Sequence, residues 1–292
     1  MTATARYHAR MQRVLDHIDR HLDEDLSVEA LSAVAAFSKH HFHRQFTALF
    51  GLTVHRYVQL VRLKRASCRL AFHAQSPVLQ IALDSGYEGP EAFARAFKKT
   101  LGQTPSAFRA QPDWIPWRAA CGPIDNARSR PMIPQPADDQ VWIVETPDIA
   151  VAVMEHRGDP ALTGDTVRRF IAWRQRAGLP PRSSATFNIL QADPETAPPE
   201  AYRLDLCVAT DRVPGGEDDG VRPGLIPGGR CATLRLTGAV DDLRPTVSFL
   251  YADWLPRSGE ELRDFPVYVQ RVRFFPDVPE HEAITDVFLP LK

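Results

Sequence analysis

The sequence has no hydrophobic run approaching the roughly 18 apolar residues that a membrane-spanning helix needs. Charges recur along all 292 residues. Its opening stretch, MTATARYHARMQRVLDHIDR, lacks the apolar centre of a secretory signal, so the cytoplasm is the expected compartment. Cysteine is scarce and scattered. Cys68, Cys121, Cys207 and Cys231 include no close pair suited to zinc or a redox dithiol, and they read as buried free thiols. No phosphate loop, zinc motif or Ser/His/Asp order marks an enzyme, so no cofactor is expected. Proline is nearly absent from the first third, which leaves helices free to run there.

What is present is the composition of an ordinary globular protein, 44% hydrophobic and 24% charged, on a chain long enough for two domains. The net charge of −1 conceals an asymmetry. Residues 1–110 hold 15 Lys/Arg against 9 Asp/Glu and eight of the ten histidines, and the remainder is acidic. A basic module joined to an acidic one fits a polyanion binder coupled to something else.

Hydrophobic spacing predicts a chain of helices in the first part. Val14, Leu15, Ile18 and Leu22 recur at helical intervals. Ser27 and Ser38 can each cap a helix, the second ending at Gly51, and Thr53 opens a long one. Ser76 reads as an N-cap with Pro77 at the first helical position, and a last helix runs from about Pro90 to Leu101. From Gln111 the texture changes. Pro112, Pro116, Pro123, Pro131, Pro134 and Pro136 punctuate a polar stretch that reads as a linker over 111–139. Seven β-rich runs follow, VWIVE through ITDVFLPL, with two helical patterns between them, which predicts an α+β domain.

Each half contains a repeat. Phe42-x-Arg44-x-Phe46, then Gly51 and Thr53, returns at identical spacing as Phe93-x-Arg95-x-Phe97, then Gly102 and Thr104. Ahead of these, Ala36-Phe37 corresponds to Gly86-Tyr87. Each copy is a short helix, a tight turn and a longer helix, which is the helix-turn-helix plan. The segments SVEALSAVAAFSKHHFHRQFTALFGLTVHRYVQLVRLKRA and VLQIALDSGYEGPEAFARAFKKTLGQTPSAFR resemble the AraC/XylS DNA-binding domain over residues 8–110. The resemblance implies an all-α paired helix-turn-helix domain that inserts two helices into the major groove of double-stranded promoter DNA. Successive major-groove faces lie about 34 Å apart, and a connecting helix of roughly 20 residues spans about 30 Å. By analogy the first recognition helix presents Ser38, Lys39, His40, His43 and Arg44. The second presents Pro90, Glu91 and Arg95, with Lys98 and Lys99 on the phosphate backbone. Arginine can pair with guanine in two hydrogen bonds, whereas lysine more often holds phosphate. The clustered histidines lack the three or four ligands a metal site requires, so no metal is expected.

In the second half, IAVAVMEHRGDPALTGDTVRRFIAWRQRAGL aligns with GRCATLRLTGAVDDLRPTVSFLYADWLPRSG, and two further strand patterns follow each copy. This duplicated strand-helix-strand-strand pattern resembles the GyrI-like effector domain over residues 140–292. The resemblance is carried by IPGGRCATLRLTG, Tyr251-x-x-Trp254-Leu255-Pro256, YRLDLCV, and Pro276 through DVFLPL. The pairing of the two domains is that of Rob-like regulators. It implies a groove for a small-molecule effector, with Phe170, Trp173, Tyr251 and Trp254 as candidate walls. The family's Glu-x-Tyr pair aligns with Gln270 and Val272. Glutamine supplies neither negative charge nor a proton acceptor, which argues against hydrolysis and against a cation preference.

The leading expectation is therefore a non-enzymatic, ligand-responsive transcription regulator in contact with RNA polymerase. The rival readings are a hydrolase or a drug-sequestering protein tethered to a DNA-binding domain.

Overall fold

A computed structural model describes residues 3–73, 75–128, 136–194, 196–212, 220–238, 243–274, 278 and 282–292. The chain divides into two compact units, residues 1–134 and 135–292.

The first unit is helical. Its elements are α1 (Ala3–Arg20), α2 (Val28–Ala35), α3 (Lys39–Phe50), α4 (Val54–Phe72), α5 (Val78–Asp84), α6 (Pro90–Leu101), α7 (Pro105–Ala110) and α8 (Trp114–Arg128). Side-chain oxygens close three of the helix starts. Ser27 accepts from the Ala30 amide, Ser38 from His41 and Thr53 from Arg56, each satisfying an orphan donor of the first turn. Thr104 repeats the Thr53 cap by accepting from Ala107. At α5 the cap position belongs to Pro77 and no side chain bonds it. Ser76 therefore does not play the N-cap role expected of it, and its carbonyl accepts from Arg109 instead.

The repeat builds two separate cores. Phe42, Phe46 and Phe50 lie one turn apart on α3 and are buried with Tyr57. Phe93, Phe97 and Leu101 on α6 are buried with Phe108. Phe46 meets Tyr57 edge to face at 5.6 Å, and Phe97 meets Phe108 in the same way at 5.5 Å. α4 belongs to both cores, with Val58 and Val61 in the first and Leu63, Ala66 and Leu70 in the second.

The expected linker is corrected here, because Trp114–Arg128 is helix. Pro116 sits in its first turn, where a missing N–H costs nothing. Trp114 joins the second core, Ile124 and Ala127 join the first, and Cys121 is buried between them. The Trp117 indole donates to Ser67 of α4. α8 thus spans both helix-turn-helix cores. Its W-x-x-W-x-x-x-C-x-x-I spacing is a helical period that the prolines obscured.

The two helix-turn-helix turns use different residues at a left-handed position. Gly86 (φ 70°) fills it in the second copy, and Ala36 (φ 54°) in the first. Ala36 is the non-glycine residue with positive φ among the described residues. At Gly86 a Cβ would lie 2.5 Å from the Arg62 guanidinium, which is fixed by bonds to the carbonyls of Leu22 (2.8 Å) and Glu24 (2.9 Å). Burial lowers the pKa of this guanidinium. Arg62 therefore ties α4 to the segment that follows α1 while packing on the second turn. Exchanging these turn residues should act in opposite directions. Ala36→Gly relieves a left-handed alanine and should raise helical-unit stability by up to about 1 kcal/mol, net of unfolded-state entropy. Gly86→Ala should lower it by about 2 kcal/mol. Urea unfolding followed by circular dichroism tests both.

The second unit is an eight-stranded antiparallel sheet. Its strands are β1 (Val141–Thr146), β2 (Ile149–Arg157), β3 (Thr186–Leu190), β4 (Arg203–Ala209), β5 (Val221–Ile226), β6 (Gly229–Thr237), β7 (Tyr268–Arg273) and β8 (Ile284–Pro290). The order is β1-β6-β8-β7-β3-β4-β2-β5. α9 (Thr163–Arg176) follows β2. After β6 come α10 (Arg244–Ser248), a π-helical turn (Phe249–Trp254) and α11 (Leu255–Ser258). The two strand-helix-strand-strand copies, which begin at β2 and β6, meet at the β3–β7 pair, and the strand that precedes each copy pairs with the first strand of the other. β1 pairs with β6, and β5 pairs with β2. The sequence reading missed β5 because Pro223 and Gly224 lie inside it. Proline is tolerated on an edge strand, and a Cβ at Gly224 would come within 2.7 Å of Val153.

Alternation along each strand assigns the faces. Ala152, Met154, Leu206 and Val208 pack with Phe170 and Trp173 of α9. Val267, Val269, Val287 and Leu289 pack with Phe249, Leu250 and Trp254. The opposite face carries Val151, Val153, Phe187, Tyr268 and Phe288.

Candidate DNA interface and effector cleft

Burying Phe42, Phe46 and Phe50 leaves the other side of α3 in solvent. Ser38, Lys39, His40, His43 and Arg44 are all exposed. On α6 the same argument leaves Glu91, Arg95, Lys98 and Lys99 exposed, with Pro90 half-buried at the first helical position. Arg44 and Arg95 occupy equivalent places in the two copies. Two expected contacts are engaged within the protein. Lys39 pairs with Glu29 of α2, an exposed pair of small energetic weight, and the Ser38 hydroxyl caps α3. The two helices differ in charge as well. Lys98 and Lys99 follow Arg95, where the first copy has Thr47 and Ala48 after Arg44. The α4 helix that separates them is fastened to the second copy by polar bonds, Arg69 to Asp84 and Arg56 to Thr100.

The second unit contains a cleft of about 450 Å³. Asn188 and Leu190 of β3 and Val267 and Arg271 beside and on β7 form its floor, Leu243 to Tyr251 form one wall, and Gln191 to Pro194 with Tyr202 form its mouth. The lining takes nothing from α9.

Of the five expected effector residues, the structure brings only Tyr251 to this cleft. Phe170 (4% exposed), Trp173 (2%) and Trp254 (8%) are core residues and not walls. They pack into the helix-sheet interfaces, where aromatic area is removed from water. Gln270 also moves. Val267 and Val269 face the helices, so Gln270 shares the opposite face with Tyr268, next to Asp286 in register. Arg271 is the β7 residue that reaches the cleft. A one-residue difference in alignment decides which of the two faces it. Phe275 and Pro276 lie outside the described residues, and Glu282 is exposed and paired with Arg273.

Sequence reasoning missed Arg271, Arg244 and Asn188. A strict period-two reading of YVQRVR, anchored on the buried Val269, would have found the first.

Two outward basic helices at the ends of one connecting helix, and a cleft on a separate sheet domain, define a DNA-reading regulator with a small-molecule sensor. Comparison with known proteins gives the same class. Residues 139–292 match the GyrI-like small molecule binding domain, and residues 31–111 match a helix-turn-helix domain. The chain is 38% identical over 152 residues to the probable transcriptional regulator YgiV of Escherichia coli (strain K12), covering 52% of this chain and 95% of that protein. It is 36% identical over 97 residues to the right origin-binding protein of the same strain, covering 33% of each. Among solved structures, the DNA-binding domain of AdpA in complex with a target DNA is 30% identical, with a TM-score of 0.33 over 37% of this chain and 92% of that one.

The chain belongs to the GyrI-like small-molecule-binding family and joins that domain to an AraC-type helix-turn-helix domain. It is a transcriptional regulator. No helix among the described residues is long and apolar enough to cross a membrane.

Proposed function

We propose that the chain reads an asymmetric duplex site through α3 and α6 and that a small molecule in the second unit biases its effect on transcription. The observation that carries this reading is the repeated exposure of Arg44 and Arg95 on equivalent faces of two helices whose opposite faces are fully buried. His40 and His43 beside Arg44, against Lys98 and Lys99 beside Arg95, make the two half-sites unequal. Regulation requires that the ligand bind two states of the protein with different affinity. A cytoplasmic, non-catalytic role in contact with RNA polymerase completes the reading. The names of two curated relatives, probable transcriptional regulator YgiV and transcriptional regulator Rob, support its regulatory part.

The test is fluorescence anisotropy of the full chain on its own promoter region across a salt series. Phosphate contacts give a linear fall of log K with log salt, about 0.9 in slope per neutralised phosphate. Replacing both Lys98 and Lys99 with alanine should reduce that slope by about two and weaken every duplex alike. A slope unaltered in the double variant would remove these lysines from the interface. Indifference of the wild-type chain to promoter DNA at low salt would remove the function.

A further inference from the structure

The helical repeat runs further than its Phe-x-Arg-x-Phe signature. A step of 52 residues along the chain takes Met11 to Leu63, Val14 to Ala66 and Ile18 to Leu70, and all six are fully buried. α1 and α4 are therefore the matching first helices of two three-helix units, α1-α2-α3 and α4-α5-α6. The same step takes Arg10 to Arg62.

Each arginine meets the turn of its own unit. Arg10 donates to the Ala36 carbonyl at 3.4 Å, and its guanidinium lies over the Phe37 ring at 5.0 Å. Arg62 packs on Gly86, which matches Ala36, beside Tyr87, which matches Phe37. At Gly86 the approach leaves no room for a side chain. A Cβ there would fall 2.5 Å from the guanidinium, so Arg62 fills the space that the glycine leaves open.

Arg62 also reaches into the first unit. Its Nε donates to the Leu22 carbonyl at 2.8 Å, and a terminal nitrogen donates to that of Glu24 at 2.9 Å. Both carbonyls lie in the segment between α1 and α2, whose Asp23 and Asp25 attract the guanidinium. Along α4 the residue stands at the boundary of the two cores, after Val61 of the first and before Leu63 of the second. One side chain thus touches both units, and its planar fork fixes two directions at once. From the turn the contact continues to α6. Tyr87 meets Phe93 edge to face at 5.4 Å, and Phe93 lies two residues before Arg95. A shift of the Gly86 turn relative to the first unit therefore carries α6 with it.

We infer that Arg62 is a positioning residue for DNA reading: it holds the second helix-turn-helix at a fixed angle to the first and so sets the half-site spacing that the protein accepts. This rests on the proposed reading of duplex DNA through α3 and α6, and it names what fixes their separation. Reading two half-sites together depends on such rigidity, because a link of matched length raises the effective concentration of the second helix at its half-site. One inserted base pair moves that half-site by about 3.4 Å and turns it by about 35° around the duplex axis. A rigid protein loses affinity for the altered duplex. One whose units can pivot loses less.

The experiment is fluorescence anisotropy of the full chain on the duplex it footprints within its own promoter region, and on the same duplex with one base pair inserted between the half-sites. The wild-type chain should bind the native duplex at least about thirtyfold tighter. Arg62→Ala should bring that ratio to about fivefold or less, while binding to a duplex with either half-site alone stays within about twofold of wild type. Gly86→Ala drives the guanidinium off its carbonyls from the other side and should lower the ratio in the same way. The double variant should go no lower than either single one, since both remove one contact. Circular dichroism checks the fold of each variant, and Gly86→Ala carries the prediction if Arg62→Ala does not fold. A ratio unchanged in the folded variants, whatever their affinity, would overturn the positioning role and leave two-helix reading in place. A wild-type ratio near one would overturn both.

Discussion

Trp173→Ala should destabilise the second unit by about 3–5 kcal/mol, seen as an earlier unfolding transition in urea. The indole is 2% exposed and packs with Ala152, Met154, Leu206 and Val208 on the sheet. It lies near-parallel to Phe170, with centroids 6.1 Å apart, and Phe170 carries the Arg174 guanidinium over its ring at 5.6 Å. Truncation leaves a cavity that these neighbours fill only partly, because two strands of the sheet, β2 and β4, hold their backbones in place. It also loosens Arg174, whose burial already holds its pKa down at about 10 and which depends on its three acceptors. Tyr251→Ala is the matched control. Its side chain faces the cleft, so its loss should cost about 1 kcal/mol or less. The pair separates aromatic residues that build the domain from the one that lines its cleft. Equal destabilisation by the two substitutions would contradict that division.

That division marks the limit of what the sequence could tell. Helical periodicity revealed the buried faces of α3 and α6, since Phe42, Phe46, Phe93 and Phe97 could only point inward and Arg44 and Arg95 therefore outward. Ser27, Ser38 and Thr53 announced their helices because an N-cap is a local hydrogen bond. The elements that escaped reading were those where one signal overrode another. Prolines at 116 and 123 hid α8, although its tryptophans keep a helical period, and Pro223 hid β5, which survives as an edge strand. In the cleft the difficulty was parity. Gln270 and Arg271 are neighbours in sequence and opposites in space, so a one-residue uncertainty in alignment exchanged the floor of the cleft for the far side of the sheet. Tyr251 owes its position to a π-turn, which a fixed period of 3.6 residues does not anticipate.

On DNA, Arg44→Ala and Arg95→Ala should each cost about 1–3 kcal/mol of binding to the preferred duplex, and each should relax discrimination at a different half-site. The reason is geometric. Each arginine is exposed on a helix whose opposite face is locked by a phenylalanine pair, so the guanidinium has the freedom to reach a base edge while its backbone stays fixed. The two positions belong to separate hydrophobic cores, and substitutions at sites that share no partner add closely. The double variant should therefore lose about 2–6 kcal/mol, enough to bring specific binding down to the level of random duplex. Lys98 and Lys99 act in a different way, since contacts to phosphate carry no sequence information and their loss lowers affinity on every duplex together. The two classes are distinguished by competing the preferred duplex against single-base variants at fixed salt. The arginine variants should lower the ratio of affinities, and the lysine variants should leave it alone. If Arg44→Ala changed discrimination at the same base positions as Arg95→Ala, the two helices would not be reading separate half-sites. The rigid separation that α4 imposes, with Arg62 bound to the segment after α1 at one face and packed on the Gly86 turn at the other, would then need a different purpose.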